Sequence, residues 1–158
     1  WDIRPAPKWG TIEVRACDGV STLPELAAIA SLVQVLVEQF SRALDEGRTL
    51  PQMPAWYHRE NKWRAARYGL DARVIVDAQG TQLPVREHLA QTIDDLAPVA
   101  VELGCSREFA SLHTILDEGA SHARQLAVAD ASDGDLGEVV RHLIREFRSG
   151  PESSINEP

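Results

Sequence analysis

Cysteine is scarce. Cys17 and Cys105 are the only two in 158 residues, and neither stands in a C-x-x-C spacing or beside a histidine pair. A disulfide scaffold and a zinc ribbon are thereby excluded, and two reduced thiols suit a cytoplasmic protein. The five histidines, His58, His88, His113, His122 and His142, include no i,i+4 pair, which argues against an imidazole-held metal. Positive charge is short as well: 16 Lys and Arg against 24 Asp and Glu leave a formal net charge of -8. Such a chain repels a polyanion and shows no nucleic-acid motif, so a nucleic-acid partner is not expected. The longest apolar stretch, Leu26 to Val37, has Glu25, Gln34 and Glu38 within or beside it. It reads as falling short of a membrane span, and no secretory leader is visible.

What is present is ordinary globular composition, with 44% hydrophobic and 25% charged residues, which excludes a disordered chain and suits one domain. That domain is expected over residues 1–149, followed by a polar, disordered tail at 150–158. The chain begins at Trp1 without methionine and in mid-pattern, and reads as a piece of something longer.

Residues 1–4 and 11–17 alternate like strands. Pro5 and Pro7 between them lack ladder donors and are expected to force a loop. Thr22, Pro24 and Glu25 form a capping-box start for a helix running to about Glu46 and closed by Gly47. It is apolar nearly all round between Leu26 and Val37, which predicts burial on several sides. A second helix is predicted over 55–68, ending at Gly69, then a hairpin around Gly80 with a weak second strand at Pro84. Helices follow at about 85–103, with a kink or break at Pro98, then at 106–118 capped by Ser106, at 121–130 and at 135–148. The fold class is α+β, a few antiparallel strands packed with five or six helices. No internal repeat is found.

The strand GTIEVRACD places Glu13 and Arg15 on one side, with Cys17 beyond them. Such a pair is either a same-face ion pair or a site in which a carboxylate holds Mg²⁺ and a guanidinium clamps phosphate. Arg4 on the preceding strand joins that face if the two strands pair. A second cluster lies on the 55–68 helix, where Asn61, Arg64 and Tyr68 share a face, Arg67 is adjacent, and Trp56, Trp63 and Ala66 are free to face the core. Five basic and two acidic residues between Arg59 and Arg73 are either a solvated helix face or the neighbourhood of an anion. Cys17 reads as a small packing residue, Asp18 as a partner of Arg15 or a strand-ending Asx turn, and Trp1 and Trp9 as packing rather than stacking.

Read together, I-R-P at 3–5, T-I-E-V-R-x-C-D at 11–18 and N-x-W-R-A-A-R-Y-G-L-D at 61–71 resemble the glutamate–cysteine ligase type 2 family of carboxylate-amine ligases. That family belongs to the wider glutamine synthetase-like group, and the resemblance runs to about Ser149. It implies an enzyme that uses ATP to phosphorylate the γ-carboxylate of glutamate, after which an amine such as cysteine displaces phosphate to form an amide. It implies Glu13 as a metal ligand, Arg15 and Arg4 as catalytic phosphate contacts, and Asn61, Arg64 and Arg67 as shaping the ATP site. ATP and Mg²⁺ are the implied cofactors. The implied partners are small-molecule substrates and an N-terminal half carrying further metal ligands; a homo-oligomer is compatible. A non-catalytic helical interaction or regulatory domain, derived from such a ligase, is the alternative.

Overall fold

Pro5 does not end the first strand. In the computed structural model, which describes residues 2–15 and 17–148, β1 (Ile3–Ala6) runs through Pro5 and pairs antiparallel with β2 (Thr11–Val14). The register sets Arg4 opposite Glu13 and Pro5 opposite Ile12. The Arg15 amide donates to the Asp2 carbonyl at 2.7 Å. Counting along the ladder from that bond makes Arg4–Glu13 a hydrogen-bonded pair and Pro5–Ile12 a non-bonded one. The missing N–H of Pro5 would therefore have pointed away from β2, so the strand loses nothing there. The turn is a 3-10 segment, Pro7–Trp9, closed by Gly10 at φ 63°, a left-handed conformation that favours glycine.

The first helix, α1 (Leu23–Asp45), starts as its cap predicts: the Glu25 amide donates to Thr22 Oγ1 at 3.2 Å. Its buried residues, Ala28, Ser31, Val35 and Ala43, recur at helical spacing and define one stripe. Leu26, Val37, Phe40 and Leu44 are 45–60% exposed, so the expected burial on several sides is absent among the described residues. Contrary to the sequence reading, α1 is long and apolar enough to cross a membrane. Here, however, its stripe packs on three later helices, and Arg42 pairs both within α1 and with one of them. Arg42 bonds Glu38 at 2.7 Å and Glu102 at 2.6 Å.

Next come α2 (Ala55–Tyr68), β3 (Arg73–Ile75) and β4 (Gln82–Pro84), the two strands antiparallel. The Asp77 carboxylate accepts from the Gln79 and Thr81 amides at 2.9 Å each and so shapes the turn before Gly80. Gly69 has φ 55°, and a Cβ there would lie 2.9 Å from the His122 ring. Only glycine lets the chain leave α2 that close to a later helix.

Of the kink or break expected at Pro98, the break does not occur: the third helix, α3 (Val85–Glu102), passes through it; the proline is exposed, so its ring takes no core position. The predicted 106–118 helix is two, α4 (Ser106–Ala110) and α5 (Leu112–Glu118). Ser106 is not the cap; Cys105 holds that position without a side-chain bond. The Ser111 amide is shared between the Arg107 and Glu108 carbonyls at 3.3 and 3.2 Å, and its hydroxyl bonds Arg107 O at 3.1 Å. This back-bonding tightens the turn that separates α4 from α5. The chain continues as α6 (Ser121–Ala131) and α7 (Leu136–Arg148); the expected tail at 150–158 and Trp1 lie outside the described residues.

One apolar core joins α1, α3, α4 and α5 through Ala28, Val35, Ile93, Leu96, Val99, Ala100, Phe109, Leu112 and Leu116. Phe109 is 2% exposed, and burying such a ring contributes about 1.5–3 kcal/mol. The β1–β2 hairpin lies apart from this core: among the described residues no helix makes extensive contact with it. Ile3 and Ile12 remain 55% and 52% exposed.

Candidate functional site

Because β1 and β2 pair in this register, Arg4 and Glu13 are cross-strand neighbours, and Arg15 stands two residues beyond Glu13 on the same side. The three side chains meet. Arg4 Nη2 lies 2.5 Å from Glu13 Oε2, and Arg15 Nε lies 3.2 Å from Glu13 Oε1. The cluster holds two guanidiniums and one carboxylate, a local charge of +1 in an acidic chain. It is open to solvent, the Arg4, Arg15 and Glu13 side chains being 62%, 52% and 41% exposed. Ion pairs that wet contribute only about 0–1 kcal/mol to folding. Little stability would be lost if an anion displaced Glu13 from either arginine.

Two forks beside one carboxylate fit the oxygens of a phosphate group. They fit a bare cation poorly: among the described residues no group of three His, Cys, Asp or Glu is close enough to hold a metal. Magnesium, however, keeps its waters and often takes only one or two protein carboxylates, with substrate phosphates completing its shell. Glu13 suits one such ligand to a metal that arrives with phosphate, and the arginines suit the phosphate.

The second cluster is placed differently from its prediction. Asn61 Nδ2 donates to the Ile75 carbonyl and Asn61 Oδ1 accepts from the Ile75 amide, both at 2.7 Å. Its amide is thus engaged in fastening α2 to β3, a job the spacing of the sequence could not show. Arg64 bonds Glu60 at 2.8 Å, Gln82 Oε1 at 2.8 Å and the Arg73 carbonyl at 3.2 Å, again bridging α2 to the second hairpin. Arg67 is exposed, its guanidinium 5.8 Å from the Tyr68 ring centre. Trp56 and Trp63 do not face the core; they are 54% and 57% exposed.

Nor do the other site-flanking expectations all survive. Cys17 and Trp9 were expected to pack, yet Cys17 is exposed and Trp9 is 74% exposed, with Lys8 Nζ 4.9 Å from its ring centre. Asp18 lies past the end of β2 and is exposed. A contact that the sequence reading missed is the ion pair of Lys62 with Asp2, which sets α2 beside the hairpin. Its partners are 60 residues apart and leave no local signal.

Comparison with known proteins supplies the family. Residues 1–142 match glutamate-cysteine ligase family 2 (GCS2). The chain is 53% identical over 151 residues to a protein of Arthrobacter sp. (strain FB24) named "Putative glutamate--cysteine ligase 2-1", a match covering 96% of this chain and 39% of that protein. Two proteins named "Putative glutamate--cysteine ligase 2" match over 150 residues, or 95% of this chain. That of Leifsonia xyli subsp. xyli (strain CTCB07) is 54% identical, with 40% of its length covered. That of Clavibacter michiganensis subsp. michiganensis (strain NCPPB 382) is 55% identical, with 39% covered. The chain belongs to glutamate-cysteine ligase family 2, and it spans about two fifths of the length of the curated relatives it matches.

Proposed function

We propose that this chain is one part of an ATP-dependent carboxylate-amine ligase and supplies part of its Mg-ATP site. The observation that carries the reading is the meeting of Arg4, Arg15 and Glu13 on one open strand face. An interaction module has no physical need of that array, since exposed pairs add little to folding. In this reading Arg15 and Arg4 grip phosphate, Glu13 offers a carboxylate to the accompanying metal, and Arg67 adds positive charge from α2. Asn61 and Arg64 act more remotely, by fixing α2 against β3 and β4.

The chemistry is phosphoryl transfer to the γ-carboxylate of glutamate and displacement of phosphate from the resulting acyl-phosphate by an amine, cysteine being the family's default. Such transfer works by positioning and charge neutralisation, and no nucleophilic side chain is required of the protein. Remaining metal ligands would come from the rest of the ligase. A cytoplasmic setting, where thiols such as Cys17 stay reduced, belongs to the same proposal.

The test is ADP release by the full reading frame containing this segment, supplied with Mg²⁺, ATP, glutamate and a panel of amines including cysteine. Release is expected to need both an acid and an amine, and to fall by about 10²–10³ in Glu13→Gln, the size typical of losing one electrostatic contact in a transition state. A mutant as fast as its parent would mean that Glu13 is only an ion-pair partner. A protein that releases no ADP with any amine would favour the non-catalytic alternative.

A further inference from the structure

Away from the hairpin, Arg124 of α6 sits in the most enclosed ion-pair group among the described residues. Its guanidinium contacts Glu25 of α1 at 2.7 Å, Glu146 of α7 at 2.6 Å and the Gly119 carbonyl at 2.5 Å. The Arg124, Glu25 and Glu146 side chains are only 15%, 13% and 16% exposed. Burial opposes the arginine's charge, but its bonds to Glu146 and Glu25 outweigh this and hold its pKa above the usual value. One residue thereby ties α6 to its successor α7 and to α1, 99 positions away.

The same node reaches the segment that leaves the candidate site. Residues 17–22 run as an irregular connector into α1, and its far end is fastened from the node's side. Ser21 Oγ lies 2.5 Å from Ser121 Oγ at the start of α6. Ser21 also bonds Glu146, the carboxylate that holds Arg124. Thr22 caps α1 one turn before Glu25. Beneath the connector is a cavity of about 320 Å³ bordered by Cys17, Val20, Ile29 and His122, so close packing does not fix its middle. The hairpin has little helix contact of its own. Beyond the Lys62–Asp2 pair, where β2 points therefore depends on how the connector's end is anchored.

We propose that Arg124 is a positioning residue for the strand site: by clamping Glu25 and Glu146 it fixes the far end of the connector, and through it the direction in which β2 presents Glu13 and Arg15. The inference rests on the phosphate-site reading of those two residues. Arg124 itself touches no ligand in this scheme. The α6–α7 pair then anchors the end of the connector that leads from the phosphate strand.

Two readouts on the full-length protein separate this inference from the reading beneath it: amide hydrogen exchange, and the Kd for Mg-ATP. The variants are Arg124→Gln, Arg124→Lys and the milder Ser121→Ala, which removes one tie and leaves the ion pairs. Local opening shows as exchange confined to one segment, so amides at 11–15 and 17–22 are expected to exchange about tenfold faster in Arg124→Gln and Ser121→Ala while Ile93–Ala100 stay unchanged. The Kd for Mg-ATP is expected to rise by about fivefold or more at unaltered melting temperature in Ser121→Ala, with Arg124→Lys between parent and Arg124→Gln.

Unchanged exchange in the connector overturns the proposal, and so does faster exchange with an unchanged Kd. If Arg124→Gln does not fold, Arg124→Lys decides by the same two readouts. If the parent binds no Mg-ATP, or Glu13→Gln binds it as well as the parent, the phosphate-site reading has failed instead. The exchange data then decide alone whether Arg124 sets the strand.

Discussion

The chain holds two clusters of arginine and carboxylate that are near mirror images in charge and opposite in setting. On the β1–β2 hairpin, two guanidiniums share one carboxylate in side chains 41–62% exposed. Around Arg124, one guanidinium is shared by two carboxylates in side chains 13–16% exposed. Exposure decides what each can do. In the wet cluster water competes for every charge, the pairs contribute little, and the arginines are available to another anion. In the enclosed cluster the charges are largely shielded from water, so removing a partner strands a charge. The same chemistry thus yields a surface ready for a ligand in one place and a clamp in the other.

The comparison breaks most visibly at Arg124. Arg124→Ala leaves Glu25 and Glu146 facing each other without their shared cation, and is expected to cost about 3–5 kcal/mol, the range for breaking an enclosed pair by removing one side. Urea unfolding of the full-length variant measures it; a loss under about 1 kcal/mol would make this cluster no different from a surface pair. Acid should weaken the node in a defined direction. Burial opposes ionisation of Glu146, yet bonds from Arg124 and Ser21 hold its carboxyl below the ordinary glutamate value of 4.5. A folded-state pKa that is depressed contributes stability in full above the unfolded value, and the contribution is lost as the pH falls through the folded one. The stability gap between parent and Glu146→Gln should accordingly narrow as the pH falls below 4.5.

Asn61 is the intermediate case and the one in which sequence and structure diverge most usefully. The sequence reading put it in a ligand site on family resemblance; the structure shows both ends of its amide bonded to the Ile75 backbone at 2.7 Å. Asn61→Leu leaves a half-buried amide and carbonyl without partners, which costs about 1–3 kcal/mol. The cost should appear in the unfolding midpoint, with Mg-ATP binding changed less than in Glu13→Gln. A variant of parental stability that has lost Mg-ATP binding would return Asn61 to the site.

What could be read in advance follows from the range over which each signal acts. Thr22, Gly69, Gly104 and Gly119 mark helix ends through backbone geometry within a few residues, and α1, α2 and α3 fall close to their predicted bounds. The convergence of Arg4 on Glu13 was legible too, because strand parity fixes the face once a hairpin is assumed. The division at Ser111 rests on back-bonding to Arg107 that a serine makes in some helices and not in others, and α3 runs on through Pro98 against the local preference for a break. The links of Asn61 to Ile75, Lys62 to Asp2 and Arg124 to Glu25 join residues 14, 60 and 99 positions apart, where no spacing rule applies. Hence the wet cluster, built on one hairpin, was visible in the sequence, and the enclosed one was not.

The smallest expected effect on stability sharpens the comparison best. Arg4→Gln removes a guanidinium lying 2.5 Å from Glu13, a contact shorter than any to Arg124 in its ion pairs. If distance governed, it would cost as much as Arg124→Ala. Because the Arg4 side chain is 62% exposed, the unfolding midpoint should instead move by no more than about 1 kcal/mol equivalent. Mg-ATP binding by the full-length protein should weaken by about 10- to 150-fold, since a charge-assisted contact to phosphate contributes about 1.5–3 kcal/mol. A large loss of stability with unchanged binding would show that the strand cluster is held for folding, and that solvent exposure is the wrong variable by which to tell the two clusters apart.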